Sequence, residues 1–360
     1  MEGGAATPDP ISGGGRVAQG RISVKTMHAT VRTRYGPPEV LRPDELPRPE
    51  AGAGEILVRI RHTSVNYGDL TARNFSGLTS DEFNMPAPLF YAARLGFGWS
   101  RPRNPLLGSE YGGIVEAVGP GVADLRIGDP VFGYRGQRMG AYAEYLVEKA
   151  DGMVTRIPEG VTAADAAVLA YGGTTAIGLL APLGSLSGGR VMIVGASGSI
   201  GMAALQILVA DGARVTAVAG PRNQEVVRDL GAEVVLDYTR VRAMEAGAGE
   251  MEPYDLILDI RGRAGFRAAS KILAPRGRYF PVSFKTPALL RALKTRGSSG
   301  QRVIVRLAPE DPRNLERLAN LMATGKLRSA IGQSFDLDAA AQAHRAVEAG
   351  ETHGHVVLHV

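Results

Sequence analysis

The residues with the clearest chemical potential are glycines that follow a short apolar run. Val191–Val194 is apolar, Ala196, Gly198 and Gly201 follow with the spacing A-x-G-x-x-G, and Met202–Gly212 continues as an amphipathic helix pattern. A side chain at the second position would block close approach of a pyrophosphate, and one at the third would push the helix off the sheet. The helix would present N–H groups and its positive dipole end to the phosphates. This dinucleotide fingerprint, with alanine for its first glycine, predicts cofactor contacts from Ala196, Ser197, Gly198, Ser199, Ile200 and Gly201.

The end of the next predicted strand bears on which dinucleotide is bound. NAD-preferring sites place Asp or Glu there, about 20 residues beyond the fingerprint, to hold the ribose 2′-hydroxyl. The strand Arg214–Ala219 is followed instead by Gly220, Arg222 and Asn223, with no acid. Gly220 leaves room for a 2′-phosphate and Arg222 could bind it bidentately, although Arg222 could also be a solvated residue at a helix start. The pattern favours NADPH over NADH.

Length and composition bound the class of protein. The 360 residues suffice for two domains, and 44% hydrophobic with 21% charged residues is ordinary for a globular chain. The absence of cysteine excludes disulfides and cysteine-ligated zinc. The net charge is +5, but no run of five basic residues occurs, so no nucleic acid and no membrane partner is expected. Residues 1–24 suggest a flexible tail without a signal peptide, and no stretch approaches ~18 apolar residues, so a soluble, cytoplasmic protein is expected.

The pattern of elements changes along the chain. Short strands separated by Pro and Gly run from Met27 to about Asp151, interrupted by a long aromatic segment between Phe75 and Pro105 that could be a lid or binding loop. Strands and helices then alternate to Ala308, which predicts a parallel doubly wound sheet and an α/β fold. The strands expected there are Val191–Val194, Arg214–Ala219, Glu233–Tyr238, Leu256–Ile260, Arg278–Ser283 and Val303–Leu307.

From about Met27 to Val360 the sequence resembles the zinc-free, quinone oxidoreductase-like branch of the medium-chain dehydrogenase/reductase superfamily. The motifs that carry the resemblance, besides the fingerprint, are Val65–Asp69, Pro105–Gly113, Val118–Val122, Gly128–Val131, Gly172–Ala176, Leu230–Ala232 and Val235–Tyr238. The resemblance implies a GroES-like, β-rich catalytic domain over residues 25–150, completed by 326–360. A Rossmann NADP-binding domain would occupy residues 151–325. It also implies a homodimer joined at sheet edges, for which Val303–Leu307 is a candidate.

The zinc-dependent members of that superfamily differ at three positions. Their ligands would fall on Asn66, on Ser109 and near Tyr171, none of which is a good zinc ligand. No metal site is therefore expected. Among the six histidines, His353 and His355 are expected to be exposed at the start of a strand. The family commonly has Gly-Lys before its last strand, and this chain has Gly354-His355, so a cofactor role does not carry over to His355.

Without a metal, the expected chemistry relies on position and hydrogen bonding. This suits NADPH-dependent hydride transfer to a quinone or an α,β-unsaturated carbonyl. The resemblance places Asn66 and Tyr67 at the nicotinamide pocket, where Tyr67 could donate a proton or could simply pack. It also places Thr175, in an expected helix start, near the nicotinamide or its ribose, and Tyr238 beside the adenosine phosphate. An alcohol dehydrogenase or ketone reductase, and a non-catalytic NADPH-binding protein, remain alternatives.

Overall fold

The computed structural model describes residues 1, 25–239 and 252–360. The predicted N-terminal tail lies outside the described residues, apart from Met1. The first part of the chain contains β1 (Thr26–Val31), β2 (Arg42–Pro47), β3 (Glu55–Ser64), α1 (Tyr67–Arg73), α2 (Ala87–Phe97), β4 (Glu110–Val118), β5 (Pro130–Tyr134), β6 (Tyr145–Lys149) and β7 (Val154–Arg156). The middle part contains α3 (Ala163–Leu180), β8 (Arg190–Val194), α4 (Ser199–Ala210), β9 (Arg214–Ala219), α5 (Gln224–Asp229), β10 (Val234–Asp237), β11 (Tyr254–Asp259), α6 (Phe266–Ala269), β12 (Leu273–Pro281), α7 (Thr286–Thr295), β13 (Arg302–Val303) and α8 (Pro312–Ala323). The last part contains β14 (Ile331–Asp336), α9 (Ala340–Glu348) and β15 (His355–His359).

The middle part forms a parallel sheet. Within the described residues its strand order is β10-β9-β8-β11-β12-β13, so the chain starts in the centre and adds strands first to one side and then to the other. This is the order of a doubly wound dinucleotide-binding sheet, with its crevice at the carboxyl ends of the strands. The Rossmann part of the fold prediction is confirmed.

The first and last parts share a second, largely antiparallel sheet. Its order in the described chain is β14-β15-β3-β4-β5-β7, with β6 also paired to β3, while β1 and β2 pair separately. The GroES-like part of the fold prediction is confirmed. The sheet continues to Arg156, past the domain boundary drawn at residue 150, because Val154–Arg156 pairs with β5.

α3 connects the two sheets. It packs on α4 of the parallel sheet and on β4 and β5 of the antiparallel sheet. Gly112 of β4 permits this approach, because a Cβ there would lie 2.2 Å from the Ala163 carbonyl oxygen. The span Ala163–Leu183 is apolar and long enough to cross a membrane, contrary to the sequence expectation, but most of it is buried in the fold as a core helix. Thr175 lies in the interior of α3 rather than at a helix start.

The aromatic segment is partly helical. The Phe75 ring stacks on Phe90 and contacts Phe97 at a tilt, and so holds α2 against the rest of the first part of the chain. Phe83 also contacts Phe75 and Phe90. The segment is therefore a packed element rather than an open loop. At the other end of the molecule, the expected strand Val303–Leu307 is shorter than predicted, because only Arg302–Val303 pairs with β12 at the sheet edge. Dimerisation through that edge stays a prediction.

Candidate active site

The fingerprint glycines form the turn between β8 and α4. Gly195 has a φ of +87°, a left-handed conformation that favours glycine, and Gly198 is the exposed N-cap of α4. A Cβ on Gly201 would lie 2.3 Å from the Gly195 carbonyl oxygen, so only glycine lets the helix lie this close to the turn. The turn glycine is thus Gly195, which the A-x-G-x-x-G alignment missed. Its signal was the glycine immediately after the apolar strand.

The predicted contact residues of this turn differ in what they expose. The side chains of Ala196 and Ile200 are buried in the core, so only their backbone is available to a ligand. Ser199 faces α3, where a Cβ on Gly172 would lie 2.3 Å from its Oγ, and this buried oxygen has no hydrogen-bond partner among the described residues. Ser197 remains half-buried beside the exposed Gly198. A dinucleotide would therefore meet backbone N–H groups here, more than side chains.

The ends of β9 and β10 bring Gly220 and Tyr238 together. A Cβ on Gly220 would lie 3.1 Å from the Tyr238 ring, which is largely exposed. Arg222 is also exposed, and its Nη1 donates to the Gly350 carbonyl oxygen over 2.9 Å. Asn223 accepts a hydrogen bond from the Gly354 backbone over 3.0 Å. These contacts fix the strand end against the segment that leads into β15, and they leave the outer side of Tyr238 open.

Asn66 and Asp69 begin α1 with a capping box. Asn66 Oδ1 accepts from the backbone N–H of Gly68 and of Asp69, and Asp69 Oδ2 accepts from the Asn66 N–H over 3.1 Å. Asp69 Oδ1 accepts from the Gly108 N–H over 3.1 Å. Asp69 therefore ties the start of α1 to the loop before β4 and so positions Asn66.

The Asn66 amide nitrogen connects to Ser109 and Glu110. Nδ2 donates to Ser109 Oγ over 2.8 Å and to Glu110 Oε1 over 3.2 Å. Glu110 Oε1 also accepts from the Ser64 hydroxyl, and its Oε2 accepts from the Tyr171 N–H over 2.6 Å. Glu110 lies in the motif Pro105–Gly113, and no role was predicted for it from the sequence. The structure makes it the centre of a buried polar cluster that joins β3, α1, β4 and α3.

Burial changes the protonation of the two carboxyl groups. It raises the pKa of Glu110 to about 7, although the hydrogen bonds from Ser64, Tyr171 and Asn66 oppose the rise. It also raises the pKa of Asp69 to about 7, and the charge of Glu110 adds to that rise. The cluster therefore titrates near neutral pH, which is the range in which a proton can be exchanged readily.

Aromatic side chains lie beside this cluster. The Tyr134 and Tyr171 rings are 5.6 Å apart, and burial, followed by the charge of Glu110, raises the pKa of Tyr171 above its usual value. Tyr67, the first residue of α1, is 54% exposed, whereas Asn66 is buried. Of the two predicted catalytic residues, Tyr67 therefore exposes its side chain, whereas Asn66 is buried within the polar cluster.

His355 is buried, contrary to the sequence expectation of exposure. Its Nδ1 accepts from the Ala330 N–H over 3.3 Å, and its Nε2 has no partner in the described structure. Burial lowers its pKa to about 4, so the ring is neutral at pH 7. His353 is exposed as expected. The described part of the chain contains no group of three His, Asp or Glu side chains that could hold a metal ion.

Comparison with known proteins places this architecture in a family. The alcohol dehydrogenase GroES-like domain family matches residues 52–159, and the zinc-binding dehydrogenase family matches residues 230–358. A quinone oxidoreductase of Pseudomonas aeruginosa is 31% identical over 341 residues, covering 90% of this chain and 97% of that protein. The mitochondrial NAD(P)H oxidoreductase RTN4IP1 of Mus musculus is 30% identical over 364 residues, covering 93% of this chain and 89% of that protein.

A solved structure from the same group of proteins has a similar fold. The quinone oxidoreductase from Coxiella burnetii superposes with a TM-score of 0.78 at 28% identity, covering 93% of this chain and 100% of that one. A mycocerosic acid synthase-like polyketide synthase of Mycobacterium tuberculosis is also similar, but the chain spans only 10% of its length. The full-length matches agree with the glycine turn and the two sheets. The chain belongs to the quinone oxidoreductase-like branch of the medium-chain dehydrogenase/reductase superfamily and is a nicotinamide-dependent oxidoreductase.

Proposed function

We propose that the protein uses NADPH to transfer a hydride, without a metal ion, to a quinone or an α,β-unsaturated carbonyl. The observation that carries the proposal is the hydrogen bond from Asn66 Nδ2 to Ser109 Oγ. These two side chains stand where zinc-dependent relatives are expected to have ligands. Because acceptors of the proposed classes delocalise the added electrons themselves, they do not need a Lewis acid.

The donor set at this position does not suit zinc. An amide nitrogen has no free lone pair, and Asn66 Oδ1 is already occupied by two backbone N–H groups of α1. Both Glu110 oxygens also accept hydrogen bonds, and the chain contains no cysteine. The family match named for zinc binding covers residues 230–358 and so does not include Asn66, Ser109 or Tyr171.

The fit to a dinucleotide rests on the carboxyl edge of the parallel sheet. Gly198 is exposed at the start of α4, and a Cβ there would meet nothing closer than 3.7 Å, which leaves space for a pyrophosphate at the first-turn N–H groups. At the end of β9, Gly220 and Arg222 stand where an acidic residue would repel a 2′-phosphate. The guanidinium of Arg222 uses Nη1 on Gly350, and its other N–H groups can pair with that phosphate.

Tyr67 is the proposed donor to the acceptor oxygen. Bound NADPH would supply the hydride from its nicotinamide ring. As the acceptor gains the hydride, negative charge develops on its oxygen, and the exposed Tyr67 hydroxyl can donate a hydrogen bond and then a proton to it. The capping box holds the start of α1 in place for this role. Solvent would then return the proton to Tyr67.

The relatives support the choice of acceptor. Full-length relatives carry the names quinone oxidoreductase and NAD(P)H oxidoreductase, and the alignment covers nearly their whole lengths. The test is a panel of 1,4-naphthoquinone, a simple enone and a simple ketone, each with NADPH, followed by the loss of nicotinamide absorbance. Turnover of the quinone or enone, with no stoichiometric zinc in the purified protein, supports the proposal.

Two other results of this assay would favour a different function. Turnover of the ketone alone would indicate an alcohol dehydrogenase or ketone reductase. Tight NADPH binding without turnover of any acceptor would indicate a non-catalytic NADPH-binding protein. Loss of activity on metal chelation would contradict the metal-independent chemistry.

A further inference from the structure

One stretch of the chain is strongly and uniformly basic. Residues 260–309 contain twelve Lys and Arg and no Asp or Glu. Subtracting these twelve from the net charge of +5 leaves −7 for the other 310 residues. Among the described residues, none of the twelve takes part in an ion pair. Ten of them are exposed, namely Arg261, Arg263, Arg267, Lys271, Arg276, Arg291, Lys294, Arg296, Arg302 and Arg306.

An amphipathic helix lies within this stretch. α7 exposes Leu289, Leu290 and Leu293, which have the spacing of one helix face. Leu293 is 60% exposed, and Arg291 and Lys294 lie beside these leucines in the sequence. No residue of α7 is buried, so the fold itself does not account for the three leucines.

A second apolar element begins next to α7. The Phe284 N–H donates to the Asn84 carbonyl oxygen over 2.9 Å, and Lys285 Nζ donates to the Ser80 carbonyl oxygen over 2.8 Å. The first residues of α7 and of α2 therefore lie close to each other in space. α2 and the turn after it expose Tyr91, Leu95 and Trp99, and residues 83–109 contain three Arg and no acid.

We propose that α2 and α7 form a docking surface for an anionic phospholipid membrane, a partner that the absence of basic runs in the sequence did not predict. Exposed Leu, Tyr and Trp side chains flanked by Lys and Arg are what an interfacial helix needs, since the apolar side chains enter the acyl boundary and the cations pair with lipid phosphates. α7 follows β12 at the carboxyl edge of the parallel sheet, the same edge as the fingerprint turn. The surface is therefore on the side of the protein where the proposed acceptor would enter.

Two other occupants fit the surface less well. A second copy in a two-fold contact would bring two copies of the same uniformly basic surface together, and like charges repel. Nucleic acid would satisfy the cations but would leave the three leucines of α7 in water, because its backbone offers them no apolar phase. An anionic bilayer satisfies the charges and the leucines together.

The first experiment measures sedimentation of the full chain with vesicles. We expect binding to phosphatidylcholine vesicles that contain phosphatidylglycerol, little binding to pure phosphatidylcholine, and loss of binding at about 1 M salt, where the Debye length is about 3 Å. Absence of binding to the anionic vesicles overturns the proposal. Equal binding to both kinds of vesicle also overturns it, because the basic stretch would then play no part.

Variants locate the contact. The double variant Leu290→Glu and Leu293→Glu should lower vesicle affinity at least tenfold, whereas Ile127→Glu, at a residue 67% exposed in the catalytic part, should leave it unchanged. The pair Lys294→Gln and Arg296→Gln should lower it roughly twenty-fivefold, about fivefold for each cation. Unchanged melting temperature and NADPH affinity would show that these exposed substitutions leave the fold intact. Equal losses for Ile127→Glu and the α7 variants would refute docking through α7.

The same variants test the competing occupants. If the leucine variants instead convert a dimer to a monomer and vesicle binding is unaffected, α7 is a contact between copies and the proposal fails. The proposal also fails if a short RNA displaces the protein from anionic vesicles and the leucine variants still bind that RNA. In that case the cations alone bind nucleic acid. These experiments measure vesicle binding or the molecular mass of the protein in solution. Their outcome therefore does not depend on which acceptor the protein reduces.

Discussion

The side-chain amide of Asn66 donates a hydrogen bond to the hydroxyl of Ser109 over 2.8 Å. The two residues are 43 positions apart in the chain, and each lies where a zinc-dependent relative is expected to carry a ligand. The same amide nitrogen also reaches Glu110 Oε1. Asn66 and Ser109 therefore belong to one buried polar cluster with Glu110, and the protonation of that cluster is the first property to test.

The stability of the protein should depend on pH through Glu110. Its pKa in the folded state is raised from 4.5 to about 7, so between these values the folded state holds a proton that the unfolded state has released. The unfolding free energy should therefore fall as the pH rises through this window, by about 3 kcal/mol at most. Urea denaturation at several pH values measures the fall.

The variant Glu110→Gln supplies the comparison. Gln cannot ionise. The unfolding free energy of the variant should therefore fall less than that of the wild type between pH 4.5 and 7, and the remaining fall should come from Asp69. At low pH the variant and the wild type should have similar stability, because protonated Glu110, like Gln, carries a hydrogen-bond donor at one end of its side chain. Parallel pH profiles for wild type and variant would contradict a raised pKa at Glu110.

The two glycines of the α4 turn should respond differently to alanine. Gly201→Ala places a Cβ 2.3 Å from the Gly195 carbonyl oxygen, so the helix must shift, at an expected cost of about 1–3 kcal/mol in unfolding free energy. Gly198→Ala meets nothing closer than 3.7 Å and should change stability little while weakening NADPH binding. Thermal denaturation and calorimetric titration separate the two effects. A destabilised Gly198→Ala with normal NADPH affinity would argue against a phosphate at this turn.

Arg222 should decide between the two nicotinamide cofactors. Losing one charge-assisted pair with the 2′-phosphate should weaken NADPH binding in Arg222→Ala by ~1.5–3 kcal/mol, or roughly tenfold to a hundredfold, and leave NADH nearly unchanged. Arg228→Ala, at another exposed arginine on α5, is the matched control. Equal losses for NADPH and NADH would mean that Arg222 acts on the fold, for example through its contact with Gly350.

Tyr67 should matter for turnover rather than for cofactor binding. Tyr67→Phe removes the proposed donor and should lower kcat about a hundredfold, the low end for general acid catalysis, with NADPH affinity unchanged. Tyr91→Phe removes a hydroxyl of similar exposure from α2 and should have no effect on kcat. Equal kcat values for Tyr67→Phe and wild type would remove Tyr67 from the mechanism.

Much of the fold was predictable because its signals are local. The apolar run Val191–Val194 and the glycines after it predict a strand, a turn and a helix, and the structure has them at Arg190–Val194 and Ser199–Ala210. The strand Arg214–Ala219 was predicted with its observed bounds. Strand ends that depend on pairing were less predictable, since Val305 and Leu307 are apolar but lie beyond Val303, the last residue in the described register with β12.

The site was predictable only in part, for a physical reason. The family resemblance suggested that Asn66 and Ser109 stand at metal-ligand positions, but not that they bond to each other, because that contact depends on how α1 packs beside β4. The burial of His355 was missed for the same reason, since its neighbour Ala330 comes from a different strand connection. Glu110 lay within a family motif, but nothing local indicated its role, because that role comes from four elements that converge on it.

The amino-acid sequence by itself determined the family, the positions of most strands of the parallel sheet and the nature of the cofactor turn, because glycine spacing and apolar periodicity act over a few residues. Only the tertiary structure decided which side chains lie close together. It tied Asn66 to Ser109, and it placed the start of α2 against the start of α7, so that apolar side chains and cations without long basic runs lie together. Such proximity arises from packing between distant segments, and the order of residues along a chain does not encode it directly.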